Sequence, residues 1–337
     1  MAKSRITIPV FVPHSGCRHQ CVFCNQWRVS GQEKNSGPAD IDRAVNTYLS
    51  SITDSIVRVE IAFFGGSFTG IAPDRQRQLL ERAARYVNDG TVHSIRLSTR
   101  PDYISHESLS LLKEYGVGTV ELGVQSFDHD VLAAAGRGHT AADVYRAMEL
   151  LKEYGFRRGI QLMPGLPRDT MDRSLRSAAE AAGLGPDDAR IYPCVVLAGT
   201  ALEEMFRRGE FVPLTMEEAV ERSAIMYRLL VEKCVNVIRI GLHPLESPES
   251  SVIAGPYHTA MGFLVKSRYR RMLLEEMISM ELQGGGCAGT ATLLLPGRCT
   301  EEYIGLKREN ISYLKSKYFS SGLAYRVWDK DYPGLEC

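Results

Sequence analysis

Short apolar runs rich in branched residues alternate along the chain with longer stretches of helical periodicity. Six of these runs predict β-strands, at residues 5–11, 56–64, 93–99, 118–124, 158–163 and 189–197. The stretches between them predict helices; in residues 73–87, for example, Leu79, Leu80 and Ala83 fall on one side. Because strands and helices alternate, we expect α/β architecture with a parallel sheet.

Residues that stand out chemically lie just after these strands. They are a cysteine-rich segment after the first strand, Gly65 and Gly66, Thr99 and Arg100, Gln125 and Ser126, and the run 163–165. In an α/β barrel the carboxyl ends of all strands share one face, and that face carries the active site. The six strand–helix units therefore predict a partial or full α/β barrel rather than an open, doubly wound sheet.

The pattern divides the chain into three parts. Residues 1–240 are predicted to form the barrel with its helical extension, 241–283 a loop-rich and helical connector, and 284–337 a small α/β tail domain. The last boundary lies at three consecutive glycines, 284–286, which make a flexible break. From Thr290 onward the pattern predicts a strand, a short helix, a turn, a second helix and a strand.

Composition excludes some classes of protein. Lysine plus arginine equals aspartate plus glutamate at 40 each, so there is no global basic field, although a local patch would still serve a nucleic-acid partner. No apolar run approaches the roughly 20 residues needed to span a bilayer, and residues 1–12 do not resemble a secretion signal. We therefore expect a cytoplasmic protein without a membrane partner, whose eight cysteines are reduced.

Three cysteines, Cys17, Cys21 and Cys24, stand within eight residues at C-x3-C-x2-C spacing. Thiolate ligands favour zinc or an iron–sulfur cluster. Structural zinc takes four ligands, usually as two separated pairs, and only His14 or His19 is nearby as a fourth. Zinc and plain buried cysteines stay open as alternatives. The favoured interpretation is a 4Fe-4S cluster with three irons held by thiolates and the fourth iron without a protein ligand.

This spacing, with the aromatic Phe23 directly before the last cysteine, resembles the cluster motif of radical S-adenosylmethionine (SAM) enzymes. The resemblance implies that the three cysteines ligate the cluster, that Phe23 packs beside it, and that SAM chelates the open iron. It also implies reductive cleavage of SAM to methionine and a 5′-deoxyadenosyl radical, which abstracts hydrogen from a substrate. An electron donor such as flavodoxin or ferredoxin is then expected as a partner.

Further motifs follow in order, at residues 65–68 (GGSF), 98–102 (STRPD), 120–127 (VELGVQSF), 136–140 (GRGHT), 162–167 (LMPGLP) and 191–196 (IYPCVV). In order and spacing they closely resemble the radical domain of the Elongator catalytic subunit, which modifies the wobble uridine of tRNA. They resemble oxygen-independent coproporphyrinogen oxidase more distantly. The resemblance covers about residues 5–214 and implies a partial (β/α)6 barrel of the radical SAM type.

Carried over residue by residue, the resemblance implies a SAM-binding site after the strands. Its residues are Gly65, Gly66 and Ser67 beside the methionine moiety, Arg137 on the methionine carboxylate, Thr99 and Gln125 near the ribose, and Gln161 and Met163 at the adenosyl end. The alternative for Arg137 is a solvated loop residue. For Gln161 and Met163 the alternative is simple filling of the barrel interior.

Departures from the Elongator pattern bear on the substrate. That subunit spaces its cysteines more widely and carries an acetyltransferase domain, of which we expect no counterpart here because no acetyl-CoA-binding glycine loop is visible. The resemblance thus implies the radical chemistry and leaves the substrate open. RNA, as tRNA or rRNA, is favoured. The alternatives are a small molecule such as a tetrapyrrole, a peptide, or a non-catalytic metal-cluster protein that binds RNA.

The tail favours RNA. Its order of elements resembles a minimal KH-type RNA-binding unit, whose Gly-x-x-Gly turn between two helices clamps nucleotides. Here the turn begins at Gly305 and has Arg308 in place of the second glycine, while Lys307, Lys315 and Lys317 add positive charge suited to phosphates. A solvated helical hairpin closing the barrel is the alternative.

Four more residues are candidates for contact with substrate. His243, Tyr257 and His258 lie in a polar, loop-rich segment that is expected to close over the barrel mouth, with structural roles as the alternative. Cys194, which follows the sixth strand, is expected to face the same mouth and to take part in radical quenching.

Overall fold

The computed structural model describes residues 5–31, 36–50, 58–245, 247–284, 290–319 and 321–336. The strands along these residues are β1 (Arg5–Val12), β2 (Arg58–Gly65), β3 (Ser94–Thr99), β4 (Val117–Gln125), β5 (Arg157–Leu162), β6 (Asp188–Ile191), β7 (Val196–Leu197), β8 (Asn236–Ile240), β9 (Val252–Ala254), β10 (Thr290–Pro296), β11 (Gly322–Trp328) and β12 (Gly334–Glu336). The helices are α1 (Gln26–Ser30), α2 (Pro38–Leu49), α3 (Pro73–Asn88), α4 (His106–Glu114), α5 (His129–Ala134), α6 (Ala141–Glu153), α7 (Met171–Gly183), α8 (Ala201–Arg207), α9 (Met216–Val231), α10 (Pro248–Ser251), α11 (Met261–Gln283), α12 (Thr300–Ile304) and α13 (Glu309–Tyr318).

Seven parallel strands form the main sheet, in the order β1-β2-β3-β4-β5-β6-β8. The first five predicted strands are present, but the sixth, predicted over residues 189–197, is divided into β6 in this sheet and β7, which pairs with β9 in a separate sheet. Strand β8 lies beside β6 as the seventh strand, so the barrel is extended by one strand. The two outer strands, β1 and β8, are not hydrogen-bonded to each other, and the barrel stays open on that side. This confirms the predicted α/β partial barrel.

Amphipathic helices cover the outer face of the sheet. Helix α3 starts at a proline in its first turn and buries Leu79, Leu80 and Ala83, the side that its periodicity predicts. Helix α9 starts with a capping box, in which Thr215 and Glu218 satisfy each other's backbone N–H groups. Their apolar sides join the aliphatic residues of the strands in one continuous core.

The inner face of the sheet carries charges instead. The guanidinium of Arg96, on β3, lies 2.7 Å from a carboxylate oxygen of Asp188 on β6 and 3.5 Å from Glu121 on β4, and Glu60 on β2 is 3.9 Å away. Glu121 also accepts from Arg190 on β6 at 2.8 Å. Strands β3 and β6 are three spacings apart, about 14 Å in a flat sheet, so the contact between Arg96 and Asp188 requires the sheet to curl.

The tail forms a second, smaller sheet in which β10 lies between β11, parallel to it, and β12, antiparallel to it. Helices α12 and α13 cover it in the predicted order. Helix α11 belongs to both cores: Met261 and Val265 pack in the barrel core, and Leu274 and Ile278 pack in the tail core. The predicted boundary at 284–286 falls mostly outside the described residues. None of the described helices combines the length and apolarity that a membrane crossing needs.

The charged network predicts a stability effect for Arg96→Met. This change removes the shared cation of three buried carboxylates, so we expect the free energy of unfolding to fall by about 3–5 kcal/mol in urea titrations at neutral pH. Arg77→Met is the control, because that side chain is 52% exposed and its loss should change stability by less than about 0.5 kcal/mol. Equal stability of Arg96→Met and wild type would show that the network does not hold the sheet.

Candidate active site

A single cavity of about 730 Å³ occupies the mouth and interior of the half-barrel. All the residues predicted to bind the cluster or SAM line this cavity, and they are Cys17, Cys21, Phe23, Cys24, Gly65, Gly66, Ser67, Thr99, Gln125, Arg137, Gln161 and Met163. Strand carboxyl ends far apart in the sequence are therefore brought together, as the parallel topology predicts.

The cysteine loop rests directly on the turn after β2. The N–H of Ser67 donates to the carbonyl of Ser15 at 2.9 Å, and the N–H of Gly66 donates to Val12 at 2.9 Å. A β-carbon on Gly66 would lie 2.1 Å from the Ser15 carbonyl oxygen, a distance no side chain tolerates. Glycine is needed here for the loop to pack, a physical reason that adds to the expected approach of a ligand.

The three thiols lie near one another in a desolvated pocket. The Cys17 sulfur is 3.5 Å from the Ser67 hydroxyl, and Cys21 is only 8% exposed. Burial, with Cys21 and Cys17 close by, raises the pKa of the Cys24 thiol to about 12. Bound metal would reverse this preference, because ligation deprotonates thiols. The Cys24 thiol therefore gains its charge through ligation of metal.

The arrangement fits a cluster better than a single zinc ion. Within the described ranges, no three or more His, Cys, Asp or Glu side chains converge closely enough to hold one metal ion. A 4Fe-4S cluster asks for less convergence, since each thiolate binds a different iron. The loop thus offers three thiolates, one for each of three irons.

Arg137 supplies positive charge beside the thiols. Its guanidinium is buried, with one nitrogen 3.2 Å from the Cys21 sulfur and another donating to the Gly123 carbonyl. Its Nε has no partner among the described residues. A cation here would offset the negative charge of thiolate ligands. The resemblance implies a contact with the methionine carboxylate; the structure brings Arg137 to the cluster loop, and the carboxylate contact stays a prediction.

Gln125 adopts a backbone conformation that sequence does not reveal. It has a φ of 70°, in the left-handed region, and lies where the pairing of β4 with β5 shifts register. Its side-chain oxygen accepts from Gln161 at 3.3 Å, and Thr99 pairs with the Thr69 hydroxyl at 2.6 Å. Strain of this kind is tolerated where the surrounding structure fixes a functional side chain.

His139, in the GRGHT motif, is buried beside Arg137. Burial, followed by the positive charges of Arg137 and Arg100, lowers the pKa of its imidazole to about 3. The ring is therefore neutral at physiological pH.

Only one of the candidates for substrate contact in the loop-rich segment reaches the cavity. His243 lines it, with Nε2 2.7 Å from the carbonyl of Val29. The Tyr257 hydroxyl instead accepts from the backbone of Leu245, and His258 is exposed and caps the turn at Ala260. Neither lines the cavity.

The expectation for Cys194 is wrong. Its neighbours Pro193 and Val195 line the cavity, whereas Cys194 is 1% exposed and packs against Leu166 in an apolar cluster outside it. Extended residues alternate between faces, so the side chain points away from the mouth. Burial raises the pKa of this thiol to about 12, which keeps it protonated and unreactive.

Sequence reasoning missed the ionisable residues inside the barrel. Glu60, Arg96, Glu121, Arg190 and Arg239 each sit on a strand with apolar neighbours on both sides. A single charged residue in the middle of an apolar strand predicts a side chain that faces the interior of the barrel. Four of the five residues, all but Glu60, line the cavity. These isolated charges are visible in the sequence. Because side chains alternate between the two faces of a strand, they could have been assigned to the inner face of the sheet.

Two family models match the chain. The model described as "Radical SAM superfamily" matches residues 11–179, and the one described as "Radical_SAM C-terminal domain" matches residues 186–271. Together they cover nearly all of the half-barrel and the first 11 of the 23 residues of α11. The tail lies beyond both matches.

The curated relatives include proteins named for tRNA modification and a protein named as a heme chaperone. The chain is 34% identical over 299 residues to "tRNA uridine(34) acetyltransferase" of Methanocaldococcus infernus, covering 77% of this chain and 54% of that protein. It is 27% identical over 202 residues to human "Elongator complex protein 3", covering 54% and 37%. The chain thus spans about half the length of the curated relatives it matches.

A solved structure supports the fold. An amino-terminally truncated Elp3 from Methanocaldococcus infernus superposes with a TM-score of 0.65 at 23% identity, covering 81% of this chain and 64% of that one. At this level of identity the similarity establishes a shared fold.

The cysteine loop predicts the metal content of variants. After anaerobic reconstitution, Cys24→Ser should lose most of its iron and sulfide relative to wild type, because one of three ligands is gone. Cys234→Ser is the control, since that cysteine is exposed and far along the chain in the turn before β8. Iron and acid-labile sulfide are measured chemically. Full loading of Cys24→Ser would remove this loop as the cluster site.

The close packing of Gly66 predicts that a side chain at this position reduces both cluster content and stability. Gly66→Ala would force the cysteine loop away from β2, so we expect cluster content to fall by at least half and thermal stability to drop. Gly183→Ala is the matched control, because an added methyl group there would meet no neighbouring atom within 4 Å and its helix favours alanine. Both variants are compared by iron content and thermal unfolding. Unchanged loading in Gly66→Ala would contradict the role given to this contact.

Proposed function

Since the chain belongs to the radical SAM superfamily, whose enzymes use a 4Fe-4S cluster and SAM, we propose that it modifies nucleosides in RNA. The observation that carries the proposal is the 34% identity, across most of the half-barrel, to proteins named for modification of uridine 34 in tRNA. The proposal concerns radical chemistry at the cavity. It does not extend to acetyl transfer, which those names ascribe to proteins about twice as long.

The residues of the cavity divide the work by position. Reductive cleavage of SAM to methionine and a 5′-deoxyadenosyl radical is the chemistry that a reduced cluster supplies when bound. Cys17, Cys21 and Cys24 hold the three irons, and Arg137 balances their charge. The walls of the half-barrel exclude water from the reacting atoms, which protects a radical from side reactions.

Sites for SAM follow the strand ends around the cavity. The turn after β2, at Gly65 to Ser67, borders the methionine moiety next to the cluster loop. Gln125 orients Gln161 through their mutual hydrogen bond. Thr99 is buried at the end of β3, where its hydroxyl suits a ribose, and Gln161 and Met163 line the adenosyl end.

The rest of the cavity suits a nucleoside. Phe11, Phe64 and Tyr48 line it together with polar side chains. A planar base could stack on the aromatic rings and form hydrogen bonds with the polar side chains through its edges. Enzymes that act on a base take it out of the stack into such a pocket.

The tail offers a place for the RNA backbone. Between α12 and α13 the turn at Gly305 has two exposed basic residues, Lys307 and Arg308, with φ values of 50° and 63°. Neither has a carboxylate partner among the described residues; Arg308 lies over the ring of Tyr325 on β11. Two consecutive left-handed residues are costly without glycine, which favours a functional reason for this turn. We assign it to phosphate contacts, as in KH units.

Activity on RNA is tested directly. The reconstituted enzyme, given SAM and dithionite without oxygen, should release 5′-deoxyadenosine, and RNA from cells lacking this protein should gain a modified nucleoside detectable by mass spectrometry. RNA from cells that contain the protein is the control, since its sites are already modified. Release of 5′-deoxyadenosine with unchanged RNA, together with turnover of a metabolite extract, would point to a small-molecule substrate and contradict the proposal.

The turn predicts the salt dependence of RNA binding. The double variant Lys307→Glu and Arg308→Glu should bind RNA at least tenfold more weakly. The slope of the logarithm of its binding constant against the logarithm of the salt concentration should become shallower by about one to two, because one to two phosphate contacts are lost. Cleavage of SAM without RNA should be unchanged, because the turn is outside the cavity. Lys233→Glu, an exposed lysine outside the tail, is the control. Equal RNA affinity of the double variant and wild type would remove the tail from RNA binding.

A further inference from the structure

Two arginines stand side by side on the inner face of the sheet. Arg190 on β6 and Arg239 on β8 are register partners, and both line the cavity. Between neighbouring strands such partners are about 5 Å apart. The pairing shifts register just before them, so that Arg239, and not Ile238, comes opposite Arg190. Irregularities of this kind re-aim side chains next to active sites.

Two like charges placed opposite each other destabilise a sheet unless something offsets them. For Arg190 the offset is present: its guanidinium donates to Glu121 at 2.8 Å and to the Tyr192 hydroxyl at 2.9 Å. The Arg239 side chain, by contrast, has no hydrogen bond and no carboxylate at ion-pair distance along the described chain. Its charge is left facing the cavity.

The other guanidiniums of the cavity do not share this state. Arg96 is 2.7 Å from Asp188, and Arg100 is 2.9 Å from Asp102. Arg137 donates to the Cys21 sulfur. Arg239 therefore carries the cavity's uncommitted positive charge, at the far edge of the sheet from β1.

The groups around Arg239 can donate hydrogen bonds to an anion. Tyr192 accepts from Arg190 through its oxygen, so its own proton is free for a ligand, and the hydroxyl is buried beside both arginines. His243 lies on the same side, with its Nε2 on the Val29 carbonyl. Burial, followed by Arg239 and Arg190, lowers the pKa of its imidazole, and a neutral ring that donates through Nε2 has no second proton for an anion. The contacts with an anion are therefore left to the two arginines and Tyr192.

We infer that Arg239, with Arg190 and Tyr192, binds an oxyanion of the substrate. The inference rests on the proposed function for its identity: in an RNA substrate this group is a phosphodiester next to the modified nucleotide. The planar fork of arginine suits two oxygens of one phosphate. Such a contact positions the strand without reading its sequence.

The register places this site relative to SAM. Gln161, Arg190 and Arg239 are successive partners across β5, β6 and β8. Arg239 is thus two strand spacings, roughly 10 Å, from the side chain expected at the adenosyl end. An anion held there sets the substrate across the cavity, with its reactive part toward the cluster loop.

Small anions test the site without RNA. Thermal unfolding of the reconstituted, SAM-loaded enzyme is followed while dimethyl phosphate, a monoanionic diester, is titrated; neutral trimethyl phosphate and acetate are titrated in parallel. We expect dimethyl phosphate, and not trimethyl phosphate, to raise the unfolding temperature of wild type. In Arg239→Gln the apparent dissociation constant should rise at least tenfold, and Arg239→Lys should fall between. Arg77→Gln is the control and should match wild type.

The outcomes separate this inference from the proposed function. Equal responses of Arg239→Gln and wild type, or no response of wild type to either anion, would overturn the oxyanion site. A response to acetate alone, lost in Arg239→Gln, would overturn the phosphodiester and indicate a carboxylate on a small substrate. Because no RNA is present, a failure to modify RNA does not change these results. The unfolding scan itself shows whether each variant is folded.

Discussion

The guanidinium of Arg96 draws carboxylates from β2, β4 and β6 to one point inside the sheet. Strands β3 and β6 have two others between them, so the pairing of Arg96 with Asp188 holds only while the sheet is curled. Burying charges is costly, and an apolar filling would do as well for stability alone. The network instead makes the interior of the curved sheet polar. A cavity that binds charged ligands needs such a polar interior. The placing of the strand ends, and hence the site, depends on that curvature.

On this frame the cluster loop is held by backbone and side-chain contacts from other segments. Gly66 lets the turn after β2 touch the loop at Ser15, and Arg137 reaches the loop from the far side, after α5. The thiols are thus fixed by two segments that the sequence separates by about seventy residues. A loop positioned this way is preorganised for its metal, and the buried Cys24 thiol would be deprotonated by ligation. The contacts that hold this loop in place therefore also determine whether it can bind metal.

Most of the half-barrel could be predicted, because strand and helix periodicities differ and punctuating glycines and prolines mark where the elements end. The residues of the site could be located by motif, and the parallel topology then put them on one face. Three features that the sequence did not show depend on three-dimensional register. They are the place of β8 in the main sheet beside β6, the irregularity that brings Arg239 opposite Arg190, and the left-handed backbone at Gln125. Cys194 was misplaced because a one-residue change in an extended segment reverses the face.

Helix α11 is a single uninterrupted helix of 23 residues, about 35 Å long, with one end in each core. Asn310, at the start of α13, is buried and donates to the backbone of Ser267 within that helix, which pins the basic turn to it. The span between turn and cavity is therefore set by helix geometry and not by a pliant linker. The protein would therefore select substrates by shape. An RNA whose bend or arm length does not match this fixed distance would contact either the basic turn or the cavity, but not both.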